Sequence, residues 1–141
     1  GQVSDEALRL IRITQQSFFE GIKYAREGHR LSDISAEVQA YVEANGCTVV
    51  REYVGHGIGR HMHEPPEVPN YGKPGHGPRL LRGMTIAVEP MVNAGSAAIV
   101  QMSDGWTVKT ADGKNAAHYE NTVLITDGEP ELLTDPSESL V

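Results

Sequence analysis

Apolar side chains recur at helical spacing through the first 46 residues, and after Gly46 they gather into short runs of β-branched and aromatic types. Leu8, Ile11, Phe18, Ile22 and Ala25 predict one amphipathic helix. Ser4 is placed to cap it, Asp5 and Glu6 suit the positive end of its dipole, and Gly28 is read as its stop. Ile34, Val38, Tyr41 and Val42 predict a second helix, capped by Ser32 and ended by Gly46. Thr48 to Val54 reads as a strand, and an irregular stretch from Gly55 to Gly83 carries most of the prolines and histidines. Strands are predicted at Met84 to Val92, Ala98 to Met102, Trp106 to Thr110, Ala117 to Thr126 and Glu131 to Leu133, with Asp-Gly turn signals between the later ones. Helices first and strands afterwards predict an α+β fold, two helices packed on a mostly antiparallel sheet. Residues 1–134 form that single unit and 135–141 a loosely ordered tail.

Composition narrows the function. The chain has 141 residues, 39% apolar and 22% charged, as in ordinary globular domains. Twelve basic against nineteen acidic residues give a formal charge of −7, which argues against nucleic acid or an anionic membrane as partner. Cys47 is the sole cysteine, so no internal disulfide forms, and its expected role is a buried inert thiol. No apolar run reaches membrane-spanning length and the first residues are not a signal peptide, so the expected location is the cytoplasm.

The densest candidate chemistry is Gly55-His56-Gly57-Ile58-Gly59-Arg60-His61-Met62-His63-Glu64-Pro65-Pro66. Glycines on both sides of His56 allow close backbone approach. His56, His61 and His63, with Glu64 adjoining, point to metal or acid–base work, the alternative being a glycine-rich turn with incidental histidines. Glu89, in Thr85-Ile86-Ala87-Val88-Glu89-Pro90, shares a strand face with Thr85 and Ala87. Glu120, in Ala117-His118-Tyr119-Glu120-Asn121-Thr122, also lies in an apolar strand, with His118 on its face. An interior carboxylate is costly unless paired or bound to metal, whereas one on an edge strand stays in water. One nitrogen and two carboxylates suit Mn, Fe, Co or Zn better than Ca or Mg.

Taken together, these words resemble the type I methionine aminopeptidases. The likeness is carried by Gly55-His56-Gly57-Ile58-Gly59-Arg60, His63-Glu64, Val88-Glu89-Pro90-Met91, Asp104-Gly105-Trp106-Thr107 and Tyr119-Glu120-Asn121-Thr122, in that order. It implies the C-terminal half of a pita-bread fold and removal of the initiator methionine from nascent polypeptides. It implies two divalent metal ions (Mn, Fe, Co or Zn) in the complete enzyme, with His56, Glu89 and Glu120 matching three of five metal ligands. Glu89 also matches the general base, and His63 the histidine that contacts the scissile peptide. Met62 and Trp106 match positions at the methionine side-chain pocket, so substrate binding is expected from His56, Met62, His63 and Trp106. An interval of only 25 residues between His63 and Glu89 fits type I, since type II enzymes carry a large insertion there.

The family completes its site with two aspartates from an upstream strand pair. The six aspartates here lie at helix starts (Asp5, Asp33), beside turn glycines (Asp104, Asp112, Asp127) or in the tail (Asp135). The expectation is therefore part of a longer protein, binding at most one metal weakly and inactive alone. It would associate with the missing N-terminal half or with itself. The alternatives are a non-catalytic pita-bread binding protein and a self-associating half-domain. His61 and His118 depart from the family pattern and are given no role.

Overall fold

In the computed structural model, residues 2–134 are described. The tail predicted for 135–141 lies outside them. Helix α1 spans Asp5–Gly21, with the Ser4 side chain accepting from the Ala7 N–H as expected. Its buried face is Leu10, Ile13, Thr14, Ser17, Phe18 and Gly21. Ile11, predicted on that face, is 38% exposed. Gly28 does not end this helix. A 3-10 turn at Ile22–Tyr24 does, and the chain then bends to a parallel bridge between Arg26 and Thr126.

Helix α2 spans Leu31–Ala44. Ser32 is inside it rather than capping it, and its hydroxyl accepts the His76 N–H at 2.7 Å. The start is closed by Asp33, whose carboxylate accepts the Arg30 N–H at 2.8 Å and the Gly75 N–H at 2.8 Å. Gly46 ends α2 as predicted, with φ +78° and the Cys47 N–H returning to the Val42 carbonyl. The two helices touch where α1 has no side chain. A Cβ on Gly21 would lie 2.6 Å from Val38 Cγ2.

Ten short strands follow among the described residues. They are β1 (Thr48–Val49), β2 (Gly55–Ile58), β3 (Glu64–Val68), β4 (Thr85–Val88), β5 (Met91–Asn93), β6 (Ile99–Gln101), β7 (Val108–Thr110), β8 (Ala116–His118), β9 (Asn121–Leu124) and β10 (Glu131–Leu132). All named pairings are antiparallel, in sheets ordered β10-β9-β4-β2-β3, β1-β5-β8 and β6-β7. The α+β prediction stands, with corrections inside it. Thr48 to Val54 is a strand only at its first two residues. The stretch read as irregular contains β2 and β3, hidden by their glycines and prolines; β3 tolerates Pro65 and Pro66 because it is an edge strand.

The two longest predicted strands are each broken once, and opposite each other. Thr85 faces Leu124 and Val88 faces Asn121 on one side of the break; Met91 faces His118 and Asn93 faces Ala116 on the other. The register is the same on both sides, so no residue slips. The Tyr119 N–H still donates to the Pro90 carbonyl across the gap, at 3.1 Å. Pro90 has no N–H to return, which interrupts the ladder there.

The core joins these layers. Phe18, Ile34, Val38 and Val42 from the helices meet Val68, Ile86, Val88, Val92 and Val123 from the sheets, all fully buried. Phe18 packs edge-on against Phe19 and Tyr119, with centroids 5.1 and 5.2 Å away. Phe18→Ala should therefore cost about 3–5 kcal/mol, while Ile11→Ala should stay within about 0.5 kcal/mol. Urea unfolding of both variants checks this, and equal losses would place the core elsewhere.

Candidate metal centre

Sheet register assembles the site. Cross-strand partners share a face, and so do residues two apart on one strand. His56 faces Ala87 across β2 and β4, so Glu89, two residues on, is its diagonal neighbour. Val88 faces Asn121, so the next pair outward is Glu89 with Glu120. All three side chains emerge on one face at the break. His56 Nε2 lies 3.7 Å from Glu89 Oε2, and one ligating atom from each of His56, Glu89 and Glu120 lies within 4.8 Å of the other two.

The flanking glycines make this placement possible. A Cβ on Gly55 would sit 2.0 Å from the Ala87 carbonyl oxygen, and one on Gly57 2.3 Å from that of Pro65. Both obstacles are backbone, so any side chain would force strands apart. The imidazole is oriented by its own neighbour, since His56 Nδ1 is 3.0 Å from the Gly57 carbonyl oxygen. A carbonyl only accepts, so in the neutral ring Nδ1 carries the hydrogen and Nε2 offers its lone pair toward Glu89. Metal-binding histidines show this arrangement, the second nitrogen fixing the tautomer.

The carboxyl pair is electrostatically tense. The Glu89 side chain is only 18% exposed. Burial first, and the hydrogen-bonded Glu120 carboxyl second, push Glu89 up from 4.5 to about 8. Without a cation the pair therefore holds a proton between its oxygens. A divalent ion would take over that neutralising role, and the donor set fits one: two hard oxygens and one imidazole nitrogen.

His63 is exposed, but its ring lies 4.2 Å from that of His56, tilted by 45°. Its loop is held by Glu64, whose carboxylate accepts the His61 N–H at 3.0 Å. His56, His63 and Glu89 line a cavity of about 310 Å³ with Tyr53, Val54, Met91 and His118. Tyr53, Met91 and His118 also line an adjoining cavity of about 390 Å³ under the β6–β7 hairpin, whose wall includes Trp106. Met62 and Trp106 are 74% and 84% exposed, and Met62 lines neither cavity. Glu120, expected in the interior, is exposed at the rim. His61 is exposed and apart from the triad. Tyr53 and Met91 were not singled out from sequence; the signal for Met91 was its place two residues beyond Glu89 on a strand.

The family assignment follows from this site and from the chain's relatives. Residues 1–127 match metallopeptidase family M24, and the chain belongs to that family. Within it the likeness is to methionine aminopeptidases. That of Clostridium perfringens is 62% identical over 134 residues, covering 95% of this chain and 54% of the relative. Methionine aminopeptidase 1 of Bacillus subtilis is 49% identical over the same share of each chain, 95% and 54%. The crystal structure of methionine aminopeptidase from Thermotoga maritima superposes with a TM-score of 0.92 at 46% identity, covering 96% of this chain and 54% of that one. An X-Pro aminopeptidase from the same organism shares the fold, with a TM-score of 0.70 at 20% identity over 96% of this chain and 33% of that one. The expected pita-bread architecture is borne out, and this chain spans about half the length of the curated relatives it matches.

The raised Glu89 carboxyl has a measurable signature. At about 8, against an ordinary 4.5, the folded chain holds a proton that the unfolded chain has lost between those values. The resulting stability is complete below the lower value and is lost as pH rises through the upper one. Metal-free protein should therefore lose stability relative to Glu89→Gln between about pH 5 and about pH 9. Urea unfolding across that range measures the difference, and a flat difference curve would contradict the shared proton.

Proposed function

We propose that this chain is the metal-binding part of a type I methionine aminopeptidase, which hydrolyses the first peptide bond of nascent polypeptides that begin with methionine. The carrying observation is the convergence of His56, Glu89 and Glu120 within 4.8 Å, with the tilted His63 ring 4.2 Å from that of His56. His56 Nε2 and the two carboxylates would hold a divalent ion, of which Mn, Fe, Co and Zn suit the donors. When bound, the ion supplies Lewis-acid polarisation of the peptide carbonyl and makes water more acidic.

The chain's own groups supply the rest. Glu89 is the general base, its oxygens already the seat of a mobile proton in the metal-free pair. His63, exposed and lining the cavity, would donate a hydrogen bond to the scissile carbonyl oxygen as negative charge grows there. Trp106, with Met62 nearby in sequence to His63, offers apolar surface to an unbranched thioether. Among the described residues no aspartate joins the triad. The two further ligands of the two-metal enzyme are assigned to sequence outside these residues.

This reading predicts one weakly held divalent ion per isolated chain and no useful methionine release from a Met-Ala peptide. The full-length protein with Mn or Co should release methionine, and Glu89→Gln should lower that rate about 10²–10⁴-fold. Calorimetric titration and peptide hydrolysis read the two outcomes. Two tight ions on the isolated chain would refute the division of the site, and an active Glu89→Gln enzyme would refute the role of Glu89.

A non-catalytic binding protein is the weaker reading, because the triad and His63 stand together. Self-association is a separate consequence of the same geometry. Strand β8 is an edge of its sheet, and exposed Tyr53 and Trp106 line the cavities at the site. The isolated chain should pair through this face, with itself or with the N-terminal half. Sedimentation equilibrium tests the first case, and a monomer at high concentration counts against it.

A further inference from the structure

Both metal-facing carboxylates sit where the ladder is broken, so something other than regular pairing must fix the backbone there. In an antiparallel ladder, main-chain groups point alternately to one flank and the other. Pro90 and Tyr119 share a bond toward each other, so the Glu89 carbonyl points to the opposite flank. On that flank β2 ends at Gly55, opposite Val88, and pairing resumes only where the Val50 N–H reaches the Met91 carbonyl at 2.9 Å. The Glu89 carbonyl faces the gap between them.

Asn70 fills it. Its side chain is fully buried, and its amide Nδ2 donates to the Glu89 carbonyl oxygen at 3.0 Å. Its own Oδ1 is buried with no partner among the described residues. A half-satisfied buried amide costs about 1–3 kcal/mol, so an apolar side chain would serve packing better. What the amide contributes is its N–H.

The partner break has a matching brace. Asn121, 5% exposed, donates from Nδ2 to the Tyr119 hydroxyl at 2.7 Å. Its Oδ1 accepts from the Thr134 hydroxyl. Tyr119 and Asn121 flank Glu120 and point away from it, so their bond spans the Glu120 peptide. The Tyr119 ring is in turn fixed against Phe18 at 5.2 Å.

We infer that Asn70 and Asn121 are positioning residues: their side-chain amides lock the two strand breaks and so set the separation of the Glu89 and Glu120 carboxylates for a divalent ion. The inference rests on the metal-binding reading above. Outer partners of this kind change metal affinity about 10–100-fold when removed.

Cobalt(II) is the probe, titrated by visible absorption into the chain and into Asn70→Ala, Asn70→Leu and Asn121→Ala. Val42→Ala, a fully buried position in α2, is the control for a general loss of core. Each asparagine variant should weaken cobalt binding about 10–100-fold and alter its band shape, whereas Val42→Ala should leave both unchanged. Asn70→Leu keeps the volume and removes the donor, so it should behave as Asn70→Ala. Equal loss in Val42→Ala, or full retention in Asn70→Leu, would overturn the inference.

If the unsubstituted chain takes up no cobalt, the metal reading fails by itself and a second measurement decides the positioning. In metal-free protein carrying ¹³C-labelled glutamate, the Glu89 and Glu120 carboxyl signals should move in the asparagine variants and stay in Val42→Ala. Unmoved signals would overturn the inference whatever the metal result.

Discussion

Glu89 and Glu120 are forced side by side because the register of β4 with β9 continues unchanged into β5 with β8. Like charges held this close disfavour ionisation of the more buried partner, here Glu89. Here the hydrophobic residues on either side, Ile86, Val88, Val92 and Val123, leave no freedom to slip. A shift by one residue would turn this whole apolar set to the opposite face. The core thus determines the distance between the carboxyls, and their repulsion is relieved either by a shared proton or by a cation.

Several features far from the ligands serve that constraint. Gly21 lets α2 approach α1, which sets the depth at which Phe18 meets Tyr119. Gly55 and Gly57 let β2 lie close between β3 and β4, which brings the His56 imidazole to the carboxyl pair. The Gly57 carbonyl then selects the tautomer. No single element builds the site; it exists where a helix-supported strand pair and a glycine-flanked strand share one sheet.

How much of this the sequence discloses depends on which force dominates at each residue. Both helices were legible because their buried faces follow helical periodicity, and Gly46 stopped α2 through its backbone conformation. The cap at Ser32 misled because a local signal competed with Asp33, whose carboxylate also binds the distant Gly75. Strands β2 and β3 were hidden because their residues were chosen for close approach and an edge position, which strips them of β-rich composition. The breaks at Glu89 and Tyr119 were invisible as breaks, because alternation of apolar residues continues through them. Yet the ligand triad could still be read, since ladder register preserves the faces that alternation predicts. The buried asparagines could not, because Asn70 serves a main-chain carbonyl far along the chain and Asn121 a tyrosine hydroxyl and Thr134, pairings that apolar alternation does not encode.

The donor set is also one-sided, and that bears on the kind of metal site these residues can form. His56, Glu89 and Glu120 emerge from one face at one end of the ladder, and the cavity with His63 opens on that same side. Further donors from this chain would have to cross the cavity and close it. A catalytic metal needs an open position, whereas a structural one is fully enclosed by protein. The core cluster lies on the other face of the same strands, so the donors are held by packing that does not itself involve a cation. A cation seated there would keep its outward side free for a ligand, and the packing of helices on sheet is not interrupted to leave that room.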